Sequence, residues 1–110
     1  MFPRFPFCGA AAALLLLGAA SPAAAAKTAT VRIENFAFTP AVLTVTPGTT
    51  VTWTNADEDP HAVLANDKSF RSRALDTDQT YSFTFAKAGD FGYFCSLHPH
   101  MTARIIVKAQ

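Results

Sequence analysis

The chain has 110 residues, which is enough for one domain of ordinary size. Its 9 basic and 8 acidic residues give a net charge of +1 without a basic stripe, which argues against binding to nucleic acid or to anionic membranes. Acidic residues at 57–59 and basic residues within 68–73 form two local clusters, which we interpret as solvated surface that could orient a partner.

The first 26 residues have the layout of a secretory signal peptide. A weakly positive start is followed at 8–20 by an apolar run of 13 residues, shorter than the roughly 20 that a membrane-spanning helix needs. Ser21-Pro22 ends this run, and alanines at 23–26 supply small residues for a peptidase. A buried alanine-rich helix fits less well, because of Pro22 and the order of the three regions. We expect residues 1–26 to be cleaved on export.

Cleavage would leave a domain with a single cysteine. Removing 26 of the 110 residues leaves 84, and Cys8 departs with the signal peptide, so Cys95 has no partner for an intramolecular disulfide. Small exported domains often depend on disulfides, and a bound metal is another source of stability for them. A lone buried cysteine can also be inert, so the residues around Cys95 decide between these interpretations.

The domain at 27–110 is predicted to be all-β. Segments 28–36, 41–47 and 50–55 are rich in Val, Ile, Thr and Trp, and Pro47-Gly48 marks a turn between the second and third segments. The polar segment 67–78 is expected to be a loop with a short strand at 69–73.

The C-terminal part shows the clearest alternation. Tyr81, Phe83 and Phe85 fall on one face of segment 80–88, which is typical of a half-buried strand. A strand ending at Cys95 and another at 102–109 complete the pattern. Strands at this spacing predict a Greek-key β-sandwich of two sheets with about seven to eight strands.

The stretch FCSLHPHM at 94–101 concentrates metal-capable side chains. Cys95 shares its strand face with Phe91 and Tyr93, so we expect the thiol to face the core at the end of that strand. The next residues contain Pro99, and we expect 96–101 to form a loop that brings Cys95, His98 and Met101 to one point.

A fourth donor is available in His61, which follows Asp59-Pro60 and so lies in an extended or turn segment. One thiolate, two imidazoles and one thioether form the donor set of a trigonal copper site with a weak axial sulfur. A lone histidine is more often a surface residue, and only the combination of the four side chains supports this prediction. We interpret His100 as a surface residue.

Other chemistries fit the same residues less well. Structural zinc sites need four strong donors, and a thioether is a poor ligand for zinc. Covalent haem attachment requires a second cysteine in a C-x-x-C-H motif. A catalytic Cys–His pair would need an activated thiol and an orienting Asn or Asp, neither of which is evident from the sequence.

The sequence resembles the cupredoxins, and within them the amicyanins most closely. The residues that carry the resemblance are Pro47-Gly48, Val51-Thr52-Trp53 with Asn55, Pro60-His61 with Val63, Tyr81-Ser82 with Thr84-Phe85, Ala88-Gly89, and Tyr93 with Cys95-x-x-His98-Pro99-x-Met101. The short C-x-x-H-x-x-M spacing separates the amicyanins from plastocyanin and pseudoazurin, in which the methionine lies further along the chain.

The resemblance implies a periplasmic type 1 (blue) copper electron carrier rather than an enzyme. His61, Cys95 and His98 would bind one copper ion in a plane, with Met101 axial, and electrons would pass through His98. The implied partners are a redox donor and acceptor, such as a periplasmic dehydrogenase and a c-type cytochrome. We expect a monomer without a membrane anchor.

Two positions depart from the pattern of the family. Ala62 replaces an asparagine whose side chain ties the two ligand loops together, although the backbone N–H of Ala62 can still reach the Cys95 sulfur. His100 stands where a large apolar residue is common. The alternative function is copper binding and delivery on the same fold, which would favour an open or methionine-rich site. A β-sandwich without metal is the third interpretation.

Overall fold

The computed structural model describes residues 27–110, and the predicted signal peptide lies outside these residues. Eight strands account for the regular structure of this part of the chain: β1 (Thr28–Glu34), β2 (Ala37–Thr39), β3 (Val42–Val45), β4 (Thr49–Asn55), β5 (Leu64–Ala65), β6 (Thr80–Phe85), β7 (Gly89–Cys95) and β8 (His98–Val107). No helix within residues 27–110 has the length and apolar character needed to cross a membrane.

The strands form two four-stranded sheets that pack face to face. The strand order is β2-β1-β4-β6 in one sheet and β3-β8-β7-β5 in the other. Each sheet contains one parallel pair, β1 with β4 and β3 with β8, among antiparallel neighbours. The predicted β-sandwich is therefore confirmed.

Alternating side chains from both sheets fill the core. In β4 every second residue is buried, and the same period appears in β8, because successive side chains of a strand point to opposite faces. Trp53 lies at the centre, with its ring 5.7 Å from that of Phe70 and 5.5 Å from that of Tyr93. The predicted alternation of β6 is also confirmed, with Phe85 buried and Ser82 and Thr84 exposed.

The expected strand at 69–73 was wrong. Segments 61–65 and 70–75 do exchange backbone hydrogen bonds, from Ala65 to Phe70, from Ser72 to Val63, and in both directions between His61 and Leu75. An extra residue between Ser72 and Leu75 shifts the register, so that this segment makes only isolated bridges. Phe70 still anchors the segment, because its side chain is buried in the core.

The loop expected at 96–101 is shorter than predicted. β7 and β8 are joined by a two-residue turn, Ser96-Leu97, so that Cys95 pairs directly with His98. The next pair is Phe94 with Thr102, and the register shift leaves 99–101 as a bulge of three residues in β8. Pro99 fits there because a bulge position does not have to donate to the ladder.

Candidate metal centre

Cys95 brings its thiol to the centre of the site at the end of β7. Its side chain is completely buried, as is that of Tyr93 two residues earlier, which confirms the prediction that both face the core. The backbone N–H of Ala62 donates a hydrogen bond to the Cys95 Sγ atom over 3.3 Å. The contact expected from the backbone of Ala62 is therefore present, without the asparagine side chain that is usual in the family.

His98 reaches the thiol across the tight β7–β8 turn. Its Nδ1 atom lies 3.6 Å from Cys95 Sγ, and its side chain is only half-buried. Leu97, in the turn itself, is 47% exposed. One edge of the site is thus close to solvent, as expected for His98.

His61 approaches the thiol from a separate part of the chain, the loop between β4 and β5. β5 pairs with the end of β7, so the residues just before β5 lie beside Cys95. The His61 ring is completely buried, with Nδ1 3.8 Å from Cys95 Sγ. Two backbone hydrogen bonds with Leu75, of 3.1 and 2.7 Å, fix this part of the chain.

The three side chains are positioned as a metal site. One donor atom from each of His61, Cys95 and His98 lies within 4.8 Å of the others. A thiol with two imidazoles suits copper, and the buried sulfur already has an N–H donor, so the donor set fits this metal. Met101 is buried in the bulge three residues after His98. Its role as a fourth ligand stays a prediction.

Asp57 orients the buried imidazole, a role that the sequence analysis missed. The Nε2 atom of His61 lies 2.8 Å from Asp57 Oδ2, which assigns the ring proton to Nε2 and leaves the Nδ1 lone pair directed at the site. Sequence reasoning placed Asp57 in a solvated acidic cluster and found no evident orienting carboxylate near Cys95 and His61. That interpretation was wrong: Asp57 and His61 lie only four residues apart in the loop between β4 and β5, but the conformation of this loop, which brings the two side chains together, is not visible in the sequence.

The position of Asp57 is itself fixed by hydrogen bonds. The Asp57 N–H donates to Asn55 Oδ1 over 2.9 Å, and Thr77 Oγ1 donates to the Asp57 carbonyl over 2.7 Å. Burial acts to raise the pKa of the Asp57 carboxyl, but the N–H groups of Phe36 and Asn35, together with His61, outweigh it and hold this pKa below its usual value.

Asn55 supports the loop that carries His61. Its side chain is completely buried, and its Nδ2 group donates to the carbonyls of Asp59, over 2.9 Å, and Leu75, over 2.8 Å. Asn55 therefore holds the loop before His61 against the segment around Leu75.

The β-sandwich and the Cys–His site are those of a cupredoxin-like domain. The model of this domain family matches residues 7–107, and the chain belongs to the family.

Within the family, the amicyanins are among the most similar relatives of this chain. Amicyanin of Paracoccus denitrificans is 32% identical over 94% of this chain and 86% of its own length. Amicyanin of Paracoccus versutus is 35% identical over 71% of this chain, but the match spans only 63% of that protein.

Solved structures show the same relationship. An oxidised amicyanin variant superimposes with a TM-score of 0.70 at 30% identity, covering 76% of this chain and 85% of the other. A purple cupredoxin from Nitrosopumilus maritimus gives a TM-score of 0.69 at 30% identity, covering 73% and 99% of the two chains.

Proposed function

We propose that this chain is a periplasmic type 1 copper protein that carries single electrons between redox partners. The observation that carries the proposal is the convergence of His61, Cys95 and His98 on one buried point, with Ala62 donating to the sulfur. Copper bound there would supply the one-electron chemistry. Related amicyanin variants have been solved in Cu(I), reduced and oxidised forms, which supports the same chemistry for this chain.

Each residue has a defined part in this proposal. With copper bound, Cys95 would supply the thiolate, His61 and His98 would supply their Nδ1 atoms, and Met101 would supply a weaker thioether donor. The hydrogen bond from Ala62 removes electron density from the sulfur and fixes its direction. The ligands come from a tight hairpin and a hydrogen-bonded loop, so the site needs little rearrangement when its charge changes by one.

Electrons are proposed to enter and leave at His98. Its ring is half-buried and next to two exposed apolar side chains, Phe36 at 44% and Leu97 at 47% exposure. His61 and Cys95 have no exposed surface, so a partner protein can come close to the site only on the His98 side. A periplasmic dehydrogenase as donor and a c-type cytochrome as acceptor are proposed from the family resemblance.

Copper delivery is the alternative that the experiment must exclude. A delivery protein exposes its ligands to an acceptor, whereas removal of copper here would require the His61 loop and the β7–β8 hairpin to separate. The test is stopped-flow mixing of the reduced, copper-loaded protein with a copper-free acceptor, alongside electron self-exchange measured by NMR. The proposal expects electron exchange to be much faster than copper transfer. The reverse order would overturn it in favour of delivery.

Export is a separate part of the proposal. Expression of the full chain in a bacterium with a periplasm, followed by N-terminal sequencing of the fractionated protein, should give a periplasmic product that begins at or near Lys27. An uncleaved cytoplasmic product would contradict the predicted signal peptide.

A further inference from the structure

The Asp57 carboxylate connects the buried imidazole to the turn between β1 and β2. It accepts hydrogen bonds from the backbone N–H groups of Asn35, over 2.7 Å, and Phe36, over 2.9 Å. Its Oδ2 atom also lies 2.8 Å from His61 Nε2. The carboxylate is mostly shielded, with 13% of the side chain exposed. One side chain thus accepts from three groups on two separate parts of the chain.

The turn held by Asp57 has an unfavourable backbone conformation. Asn35 and Phe36 have φ angles of 57° and 56°, which is the left-handed region. Asparagine tolerates this region, but a bulky residue such as phenylalanine is rarely found there. Two successive N–H groups in a turn can form a concave anion site, and the Asp57 carboxylate occupies that position. The two hydrogen bonds therefore stabilise a conformation that Phe36 would not favour alone.

This conformation places the Phe36 ring over both histidines. The ring lies edge-on at 5.0 Å from the centroid of His61 and at 5.1 Å from that of His98, with an interplanar angle of 88° in each case. Phe36 therefore covers the metal centre on the side that faces solvent. Its own exposure of 44% shows that packing against the core does not hold it there.

We propose that Asp57 is a positioning residue with two linked effects: it orients His61 for the metal, and it holds the Phe36 turn over the site. The inference rests on the proposed function, because its first effect is defined for copper bound at His61. The sequence neighbours Glu58 and Asp59 carry the same charge, but neither side chain has a hydrogen bond or ion pair within the described residues.

The expected effect on the metal follows from the hydrogen bond to Nε2. A carboxylate that accepts this proton increases the donor strength of Nδ1, and a stronger donor favours the more highly charged metal ion. Loss of such partners commonly costs 10- to 100-fold in metal affinity. We expect Asp57→Asn to lower the ratio of Cu(II) to Cu(I) affinity about tenfold, which is a rise of 59 mV in the reduction potential of a one-electron couple.

The second effect can be measured without copper. In the metal-free protein, at least one of the Asn35 and Phe36 amides should exchange with solvent at least about tenfold faster in Asp57→Asn than in the wild type, because the two amides use different carboxylate oxygens and asparagine keeps only one. Asp59→Asn is the matched control, since it removes the same charge two residues away. It should leave the exchange rates unchanged and shift the affinity ratio by less than about threefold, because exposed charges are well screened.

Asp57→Glu is the second variant, since it keeps the carboxylate on a longer side chain. It should retain part of the protection of both amides, and its reduction potential should lie between those of the wild type and Asp57→Asn. If Asp57→Asn does not fold, Asp57→Glu and the wild type decide by NMR. The reduced wild type should then show a slowly exchanging proton on His61 Nε2, and a rapidly exchanging proton there would overturn the inference.

Equal potentials in Asp57→Asn and Asp59→Asn, or unchanged amide exchange in Asp57→Asn, would also overturn it. These outcomes are distinct from failure of the proposed function, which would appear in the wild type as a colourless copper-loaded protein.

Discussion

Replacing Tyr93 with phenylalanine should stabilise the protein, because it removes a buried hydroxyl without a partner. The Tyr93 side chain is 1% exposed, and its hydroxyl and the Trp53 Nε1 atom are the two buried side-chain polar atoms without a hydrogen bond within residues 27–110. An unsatisfied buried polar group costs about 1–3 kcal/mol. After allowance for the small void that is left, we expect about 1 kcal/mol of stabilisation at neutral pH, or about 4–8 °C in melting temperature for a domain of this size.

The same hydroxyl makes the wild type sensitive to alkali. Burial raises the pKa of Tyr93 from 10.0 to about 12, and the nearby Trp53 indole N–H, which makes no hydrogen bond of good geometry to the hydroxyl, offsets this only in part. The folded state favours the neutral phenol, so the free energy of unfolding is not reduced by this group below pH 10 and falls as the pH rises from 10 through 12. At about 1.4 kcal/mol per pH unit, the total loss is on the order of 3 kcal/mol.

Urea denaturation of the copper-free protein at pH 7 and at intervals between pH 9 and 12 measures both effects. Tyr93→Phe should unfold at higher urea at pH 7 and lose less stability in alkali than the wild type. Tyr81→Phe is the control, because Tyr81 is partly exposed and accepts a hydrogen bond from the Arg71 N–H over 3.1 Å. Destabilisation of Tyr93→Phe by 1 kcal/mol or more at pH 7, with an unchanged alkaline dependence, would refute the reasoning.

Three further outcomes test the packing, the turn and the metal. Ile105→Ala should lower the free energy of unfolding by about 2–5 kcal/mol, because the Ile105 side chain is completely buried, whereas Val42→Ala, at 50% exposure, should change it by less than about 0.5 kcal/mol. Equal values for the two variants in urea denaturation would contradict the assigned core. Gly48→Ala should cost about 1 kcal/mol from backbone conformation alone, since Gly48 has a φ of 92° and its added Cβ would meet no atom within 4 Å; an unchanged denaturation midpoint would contradict this. Copper at a thousand times its Kd should stabilise the fold by about 4 kcal/mol, and calorimetry that gives equal melting temperatures with and without copper would exclude tight binding to the native state.

The sandwich could be predicted because the alternation of apolar and polar residues is visible in the sequence of its longer strands. The period of two in β6 requires a half-buried strand, and the parity of β7 correctly placed Cys95 on the same inward face as Tyr93. β2 and β5 have only three and two residues, too few for any period to be visible. They exist because neighbouring strands supply the hydrogen-bond partners.

The metal-capable residues could be identified from the sequence, but their surroundings could not. Cys95 and His98 are close in the chain, and the choice of His61 followed from the shortage of other donors. The links from Asp57 to the β1–β2 turn and from Phe36 to both imidazoles join segments about 20 residues or more apart, which are brought together by the parallel pairing of β1 with β4. No pattern among neighbouring residues in the sequence indicates that β1 pairs with β4. The bulge at 99–101 was missed for the same reason, since it depends on the register of β7 against β8.

The visible absorption spectrum of the oxidised, copper-loaded protein tests the central claim most directly. If Cys95 binds Cu(II) together with His61 and His98, the wild type should show an intense sulfur-to-copper charge-transfer band. Cys95→Ser should lack this band while keeping the far-ultraviolet circular dichroism of the folded β-sandwich. A wild-type protein that binds copper but remains colourless, or a Cys95→Ser variant that keeps the band, would contradict the assignment of this site as a type 1 copper centre.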